Sequence, residues 1–342
     1  MKNKEALSYD DVLLKPQYSD ILSRTEIDIS ANLGNGLTLR TPLFAAPMDT
    51  ISEAMMATAL GRNGGAAVIH RYNTIENQGR LVQMARDLGG DINIGAAVGV
   101  TGDYFERACA LVEKGATFLC IDVAHGHHRL TKNALTALRE KFSDLHIMAG
   151  NIATLEGIND LADWGATSVR CNIGGGSICS TRVQTGHGMP GLQTIFDCAQ
   201  TDRDVAIIAD GGIKNSGDIV KALAAGADAV MCGSLLAGTR EAPGRVFREA
   251  DGSVWKSYRG MASKEAQTEW KGEYSSFEGV AARVPYQGAV DSILTDLVRG
   301  IRSGLSYSGA RNITELQTKA EFVRQTSSGL SESGTHILNR KW

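Results

Sequence analysis

The sequence holds no Cys-x-x-Cys pair, and no apolar run in it reaches the roughly 18 to 20 residues that a membrane span requires. An excess of positive charge is also missing. The 35 Lys and Arg stand against 38 Asp and Glu for a formal net charge of −3, so no broad basic field is offered to nucleic acid and any phosphate must be bound locally. The six cysteines, Cys109, Cys120, Cys171, Cys179, Cys198 and Cys232, are scattered, several of them inside apolar runs, and "MKNKEALSYD" has no secretory character. They read as reduced thiols of a soluble, cytoplasmic protein. No low-complexity linker or repeat array divides the chain, which argues for one domain over 1–342.

A rhythm runs through the 342 residues instead. Apolar runs closed by glycine, aspartate or another polar residue recur as "PLFAAPMD" (42–49), "AAVIH" (66–70), "INIGAAVG" (92–99), "TFLCIDVAHG" (117–126), "LHIMAGN" (145–151), "SVRCNIGGG" (168–176), "VAIIADGG" (205–212) and "DAVMCGS" (228–234). Between them lie amphipathic stretches such as "DYFERACALVEKGA" and "LTKNALTALREKF", with apolar residues three and four apart. Eight strands alternating with helices predict a closed (β/α)8 TIM barrel, and their nearly continuous apolar character suits a parallel sheet covered on both faces. One long excursion, residues 235–290, follows the last strand. It opens with a polar stretch that predicts a hairpin turning at Asp251-Gly252, and an insertion of this length is more often functional than idle. The tail from Asp291 returns to helix in "DSILTDLVRGIRSGL" and then turns polar.

In a barrel of this kind the loops at the C-terminal ends of the strands build the active site, and "GGGSICSTR" (174–182) directly follows the sixth strand. Its glycines allow close backbone approach to a ligand, Ser177 and Thr181 supply hydroxyls, and Cys179 is a candidate nucleophile if a neighbour takes its proton. The alternative is a thiol packed as a small hydrophobe, the reading given to Cys120, Cys171 and Cys232. A second signal is "ADGGIKNSGDIVKALAAGADAVMCGS", which sets Asp210-Gly211-Gly212 after strand seven and Gly233-Ser234 after strand eight. Two glycine-rich loops at adjacent strand ends point to a phosphate cradle, with Asp210 placed to accept hydrogen bonds from ribose hydroxyls.

With "YDDVLLKPQYS", "PLFAAPMDT", "GGGSICSTRVQTGHGMP", the strand-seven-to-eight segment, "YRGMAS" and "EGVAARVPYQG" in order, the chain resembles the IMP dehydrogenase and GMP reductase family from about Tyr9 to Gly309. The resemblance implies that Cys179 attacks purine C2 of a nucleoside monophosphate, giving a covalent thioimidate. It implies a 5′-phosphate on Ser177, Gly212, Gly233, Ser234 and Tyr258, a ribose on Asp210 and a base near Gly260 and Met261. It further implies a nicotinamide cofactor beside Arg71, Asp122 and Asn172, K+ on the backbone carbonyls of Gly174, Gly176 and Cys179, and a homotetramer. Asn172 stands where the family usually has glycine, and Arg71 where it usually has lysine.

The family's two reactions part after the covalent step. In the dehydrogenase, hydride leaves C2 for NAD and an activated water hydrolyses the adduct; in the reductase, ammonia leaves and NADPH returns a hydride. Dehydrogenases carry a long flap with an Arg-Tyr pair as base for that water, whereas the segment here, "ASKEAQTEWKGEYSSF", is short and has no such pair. The regulatory insertion that many dehydrogenases hold before the third strand is missing too. Both absences favour the reductase, with Thr181 and Glu278 moving protons to the departing amine. Two alternatives stand beside it: an IMP dehydrogenase that lacks its regulatory module and uses Thr181-Glu278 in place of the missing base, and a nucleotide sensor that keeps only the cradle. The neighbouring His125, His127 and His128 lack the convergent carboxylate or cysteine set of a zinc site.

Overall fold

The computed structural model describes residues 5–274 and 278–334; residues 1–4, 275–277 and 335–342 lie outside them, and with them the ends of the expected 1–342 domain and the end of the "GEYSSF" segment. Eight parallel strands close into a barrel: β1 (Leu43–Ala45), β2 (Ala66–Ile69), β3 (Ile94–Val98), β4 (Phe118–Asp122), β5 (His146–Ile152), β6 (Ser168–Cys171), β7 (Ala206–Asp210) and β8 (Ala229–Cys232). The ring closes where β8 pairs β1 in the register Val230 with Leu43, Met231 with Phe44 and Cys232 with Ala45. Each strand falls within or at the edge of one of the eight apolar runs. The runs overshoot because their C-terminal residues, such as "VAHG" and "NIGGG", leave the barrel as loops. Inside, Phe44 meets the edge of Phe118 at 5.8 Å and Phe118 meets His146 at 5.9 Å, so aromatic rings fill the barrel's axis.

Helices follow the strands where capping residues start them. Thr74 accepts the Asn77 N–H to open α2 (Ile75–Gly89), Thr154 accepts that of Gly157 to open α5 (Leu155–Asp163), and Asn215 accepts that of Asp218 to open α7 (Ser216–Ala224). The amphipathic stretches singled out in the sequence are α3 (Tyr104–Glu113) and α4 (Arg129–Lys141), with α1 (Ala54–Arg62) and α6 (Gly191–Cys198) completing the outer layer before the excursion. Among the described residues no helix is long and apolar enough to cross a membrane.

The excursion after β8 folds as a three-stranded antiparallel sheet, β9 (Val246–Arg248), β10 (Val254–Arg259) and β11 (Ala281–Pro285), with a helix α8 (Lys264–Lys271) between the last two. The turn falls at Asp251-Gly252 as the sequence predicts: the Glu249 N–H donates to the Ser253 carbonyl at 3.0 Å, and Gly252 takes φ +85°, which favours glycine. The third strand and α8 are not legible in the polar sequence. Lys256 and Tyr258 point inward from β10 and are nearly buried, at 2% and 5% exposure. The Lys256 ammonium donates to the Thr239 carbonyl at 2.7 Å and to that of Ala242, so a charge normally found at the surface fixes the sheet to the barrel rim. The long helix α9 (Val290–Tyr307) packs against α7. Beyond it the described part of the polar tail is structured as well, its strand Phe322–Arg324 pairing antiparallel with Val12–Leu14.

Candidate active site

A cleft of about 330 Å3 opens at the C-terminal ends of the barrel strands. Every residue singled out as a site residue lines it, from Arg71 and Asp122 through Asn172, Gly174, Gly176, Ser177, Cys179 and Thr181 to Asp210, Gly212, Gly233, Ser234, Tyr258, Gly260, Met261 and Glu278. That gathering follows from topology, since all of them lie at strand ends or on the sheet folded back over the mouth.

Cys179 is exposed, whereas Cys120, Cys171 and Cys232 are buried, as their apolar surroundings predict. Burial pushes the thiols of Cys120 and Cys232 up to about 12, which keeps them protonated and inert. The Cys179 thiol donates to Thr181 Oγ1 at 3.2 Å, and the Thr181 hydroxyl donates to Glu278 Oε2 at 2.7 Å. These bonds form a continuous path for a proton from sulfur to carboxylate. Backbone pairing puts Glu278 there. The Ser180 N–H bonds the Glu278 carbonyl at 2.8 Å, the Val280 N–H bonds that of Ile178 at 3.0 Å, and Cys179 faces Gly279 in an antiparallel bridge. Glu278 is therefore held by the loop it serves, not left in solvent.

At the other end of the cleft, Ser177 and Tyr258 bring their hydroxyls within 3.3 Å of each other beside Gly233. Burial raises the Tyr258 pKa, with the Ser177 hydrogen bond opposing, so the phenol stays a donor. Gly211 and Gly212 take φ of +80° and +75°, which turns their backbone at the mouth without a Cβ penalty. A Cβ on Gly233 would lie 3.0 Å from the Tyr258 hydroxyl and 3.4 Å from Met48 Sδ. Gly233→Val is accordingly expected to weaken nucleoside monophosphate binding tenfold or more, about 1.4 kcal/mol, measured by calorimetry against the parent chain. Equal affinity would mean that the cradle lies elsewhere.

Asn172 lines the cleft but turns its amide beneath the glycine loop: Nδ2 donates to the Gly211 carbonyl at 3.4 Å, while Oδ1 is buried without a partner. A Cβ on Gly175 would collide with that amide, so the larger residue at 172 is accommodated by the glycine at 175. The side chain thus braces the loop that carries Cys179 from below. His125, His127 and His128 diverge. His127 Nε2 lies 2.7 Å from Asp160 Oδ2, His128 Nδ1 accepts the Leu130 N–H to cap α4, and burial followed by its two neighbours lowers the His125 pKa.

Sequence reasoning missed Arg170, Asn151, Tyr72 and Trp270. Arg170 lies inward on β6, 3% exposed, and Arg170 NH2 donates to Asp122 Oδ1 at 2.5 Å. Asn151 on β5 donates to Asp210 Oδ2 at 2.7 Å. Burial raises the Asp210 pKa, opposed first by the Arg170 charge and then by the Asn151 bond. The signal for Arg170 was available in "SVRCN", where a full charge interrupts a strand otherwise fit for the core. Tyr72 stacks on Trp270 of α8 at 6.1 Å and 17°, closing one edge of the cleft, and Arg71 lies over Tyr72 at 5.7 Å.

Comparison with known proteins fits this geometry. The model of the "IMP dehydrogenase / GMP reductase domain" matches residues 6–336. An inosine-5′-monophosphate dehydrogenase of Nitrosopumilus maritimus (strain SCM1) is 33% identical over 98% of this chain and 99% of its own length, and a GMP reductase of Leishmania major is 32% identical over 98% of both. A crystal structure of a cysteine-to-alanine variant of GMP reductase from Trypanosoma brucei, in complex with guanosine 5′-monophosphate, superposes with a TM-score of 0.94 at 31% identity, covering 99% of each chain. The two sequence alignments extend over 472 and 481 positions, more than the 342 residues here, so a dehydrogenase and a reductase alike carry segments this chain lacks. The missing insertion therefore does not separate the two activities, and the weight falls on the chemistry of the cleft. On the matched length, the closed barrel and the relatives on both sides of the name, the chain belongs to the IMP dehydrogenase/GMP reductase family, whose members are oxidoreductases acting on purine nucleotides.

Proposed function

We propose that the chain is a GMP reductase, converting GMP to IMP and ammonia with NADPH as hydride donor. The observation that carries this reading is the unbroken path from the Cys179 thiol through Thr181 to Glu278. The thiol adds to purine C2 and its proton passes along the path. Delivered back to the 2-amino nitrogen, protons let the C2–N bond break and ammonia depart, leaving C2 bonded to sulfur as a thioimidate. The nicotinamide dinucleotide, when bound, supplies the hydride that reduces C2, after which the C–S bond breaks and the thiolate is free again. No step calls for an activated water. The segment 262–277 contains no arginine, so the Arg-Tyr base of the dehydrogenases has no counterpart in it.

The cleft has a place for the dinucleotide. Arg71 Nε is buried without a partner and lies 3.9 Å from Asp122 Oδ2, beside the Tyr72 and Trp270 rings. An orphaned donor next to a carboxylate and an aromatic wall suits a ribosyl-nicotinamide group. K+ on the carbonyls of Gly174, Gly176 and Cys179 belongs to the same proposal, since carbonyl oxygens replace the hydration shell of such an ion. A single catalytic domain, a homotetramer and a cytoplasmic location complete it.

The dehydrogenase relatives make IMP oxidation the second reading. Both directions are assayed on one preparation by absorbance of the reduced cofactor. Consumption of NADPH with GMP, and slow or no NADH formation from IMP and NAD, is expected. Rapid NADH formation from IMP, without IMP from GMP, would transfer the assignment to the dehydrogenase.

A further inference from the structure

Two carboxylates stand at the cleft mouth on strands that do not touch: Asp122 ends β4, Asp210 ends β7, and β5 and β6 lie between them. Arg170, on β6, reaches both. Its NH2 donates to Asp122 Oδ1 at 2.5 Å, and its NH1 lies 3.9 Å from Asp210 Oδ2. Arg71 extends the row at 3.9 Å beyond Asp122, and Asn151 ends it at 2.7 Å from Asp210. We infer that Arg170 is a positioning residue that fixes both carboxylates at once and so joins the nucleotide half of the cleft to the cofactor half. The inference rests on the proposed function, which gives Asp210 the nucleotide ribose and Asp122 the cofactor side.

The geometry demands an arginine. A planar guanidinium presents several N–H groups in fixed directions and can address two carboxylates, whereas an ammonium is a single point charge. Arg170 Nε is buried without a partner and NH1 donates to Met231 Sδ at 3.7 Å, so the charge of the side chain is met by the carboxylates it serves while the thioether helps to place it. The groups facing Asp210 are Arg170 and Cys171 on β6, Asp122 and Cys120 on β4, Cys232 on β8, Tyr258 on β10 and Tyr9 before the barrel. Arg170 is the cation among them. Burial and Asp122 both favour a protonated Asp210, and Arg170 opposes them. A protonated Asp210 would lose acceptor capacity toward two ribose hydroxyls.

The test measures GMP and IMP affinity by calorimetry between pH 6 and pH 9 for the parent chain, Arg170→Met and Arg170→Lys. Removing the cation raises the Asp210 pKa further, so the ratio of parent to Arg170→Met affinity at the same pH should grow threefold or more as pH is lowered from 9 to 6. The ligand's phosphate takes up its second proton at about pH 6 with every protein, so each variant is read as its ratio to the parent at the same pH. Arg170→Lys keeps a charge and should remove the pH dependence, but a single ammonium cannot hold both carboxylates, so its nucleotide affinity should stay below the parent's at every pH, a split that a merely structural role does not predict. Should Arg170→Met fail to fold, Arg170→Gln carries the same expectation with a neutral amide. A ratio that does not change with pH in the neutral variant, with the parent binding normally, overturns this inference alone. Failure of the parent to bind either nucleotide overturns the proposed function with it.

Discussion

Cys179→Ala is expected to abolish turnover in both directions while GMP binding stays within about tenfold of the parent, a change of no more than about 1.4 kcal/mol. The asymmetry follows from where the sulfur sits. It is exposed in the cleft and hydrogen-bonded toward Thr181, whereas the proposed phosphate cradle of Ser177, Gly233 and Tyr258 is built from other residues and does not depend on it. Covalent catalysis splits one hard substitution at C2 into two easier ones, and among the described residues no other exposed thiol is present to take over. Steady-state turnover and calorimetry on the same preparation check both halves. Retained turnover in the alanine variant would end the covalent mechanism.

Glu278→Gln should lower turnover by about 10² to 10⁴, the usual worth of a positioned acid or base, with a much smaller change in GMP affinity. The amide fills the same space and can still receive the Thr181 hydroxyl, but it cannot take up the proton that arrives along the path. Because ammonia departure needs that proton delivered back, the loss should appear in single-turnover ammonia release and not in hydride transfer measured from a preformed adduct. If both slow equally, Glu278 holds the loop in shape and moves no proton. The companion Thr181→Val would interrupt the path at its midpoint and should reproduce the defect.

The barrel was legible because each strand is buried on both faces and reads as a continuous apolar run, and Ile94–Val98 is buried at every residue. The glycine loops and the exposed thiol at the cleft were legible for a related reason: glycines and a lone thiol cluster immediately after such runs, where barrel topology puts ligands. The third strand of the covering sheet was not. Ala281, Ala282 and Arg283 are exposed, so no alternation marks "AARVP" as a strand, and it exists only through pairing with β10. Helix α8 was hidden in the same way, since its partner Tyr72 lies far back in the chain, roughly the span of a domain away. Arg170 was passed over because the run around it was counted as core, and a charge inside a run becomes informative only when its partners, Asp122 and Asp210, are brought to it by the closed ring.

The backbone splice between Ile178–Ser180 and Glu278–Val280 also bears on what the resting protein does with its most reactive atom. Any opening that lifts the covering segment breaks the Ser180-to-Glu278 and Val280-to-Ile178 bonds together, and takes the carboxylate away with the backbone. The thiol then loses its proton acceptor at the moment it becomes most open to solvent. The proton acceptor and the loop that carries the sulfur are thereby one mechanical piece.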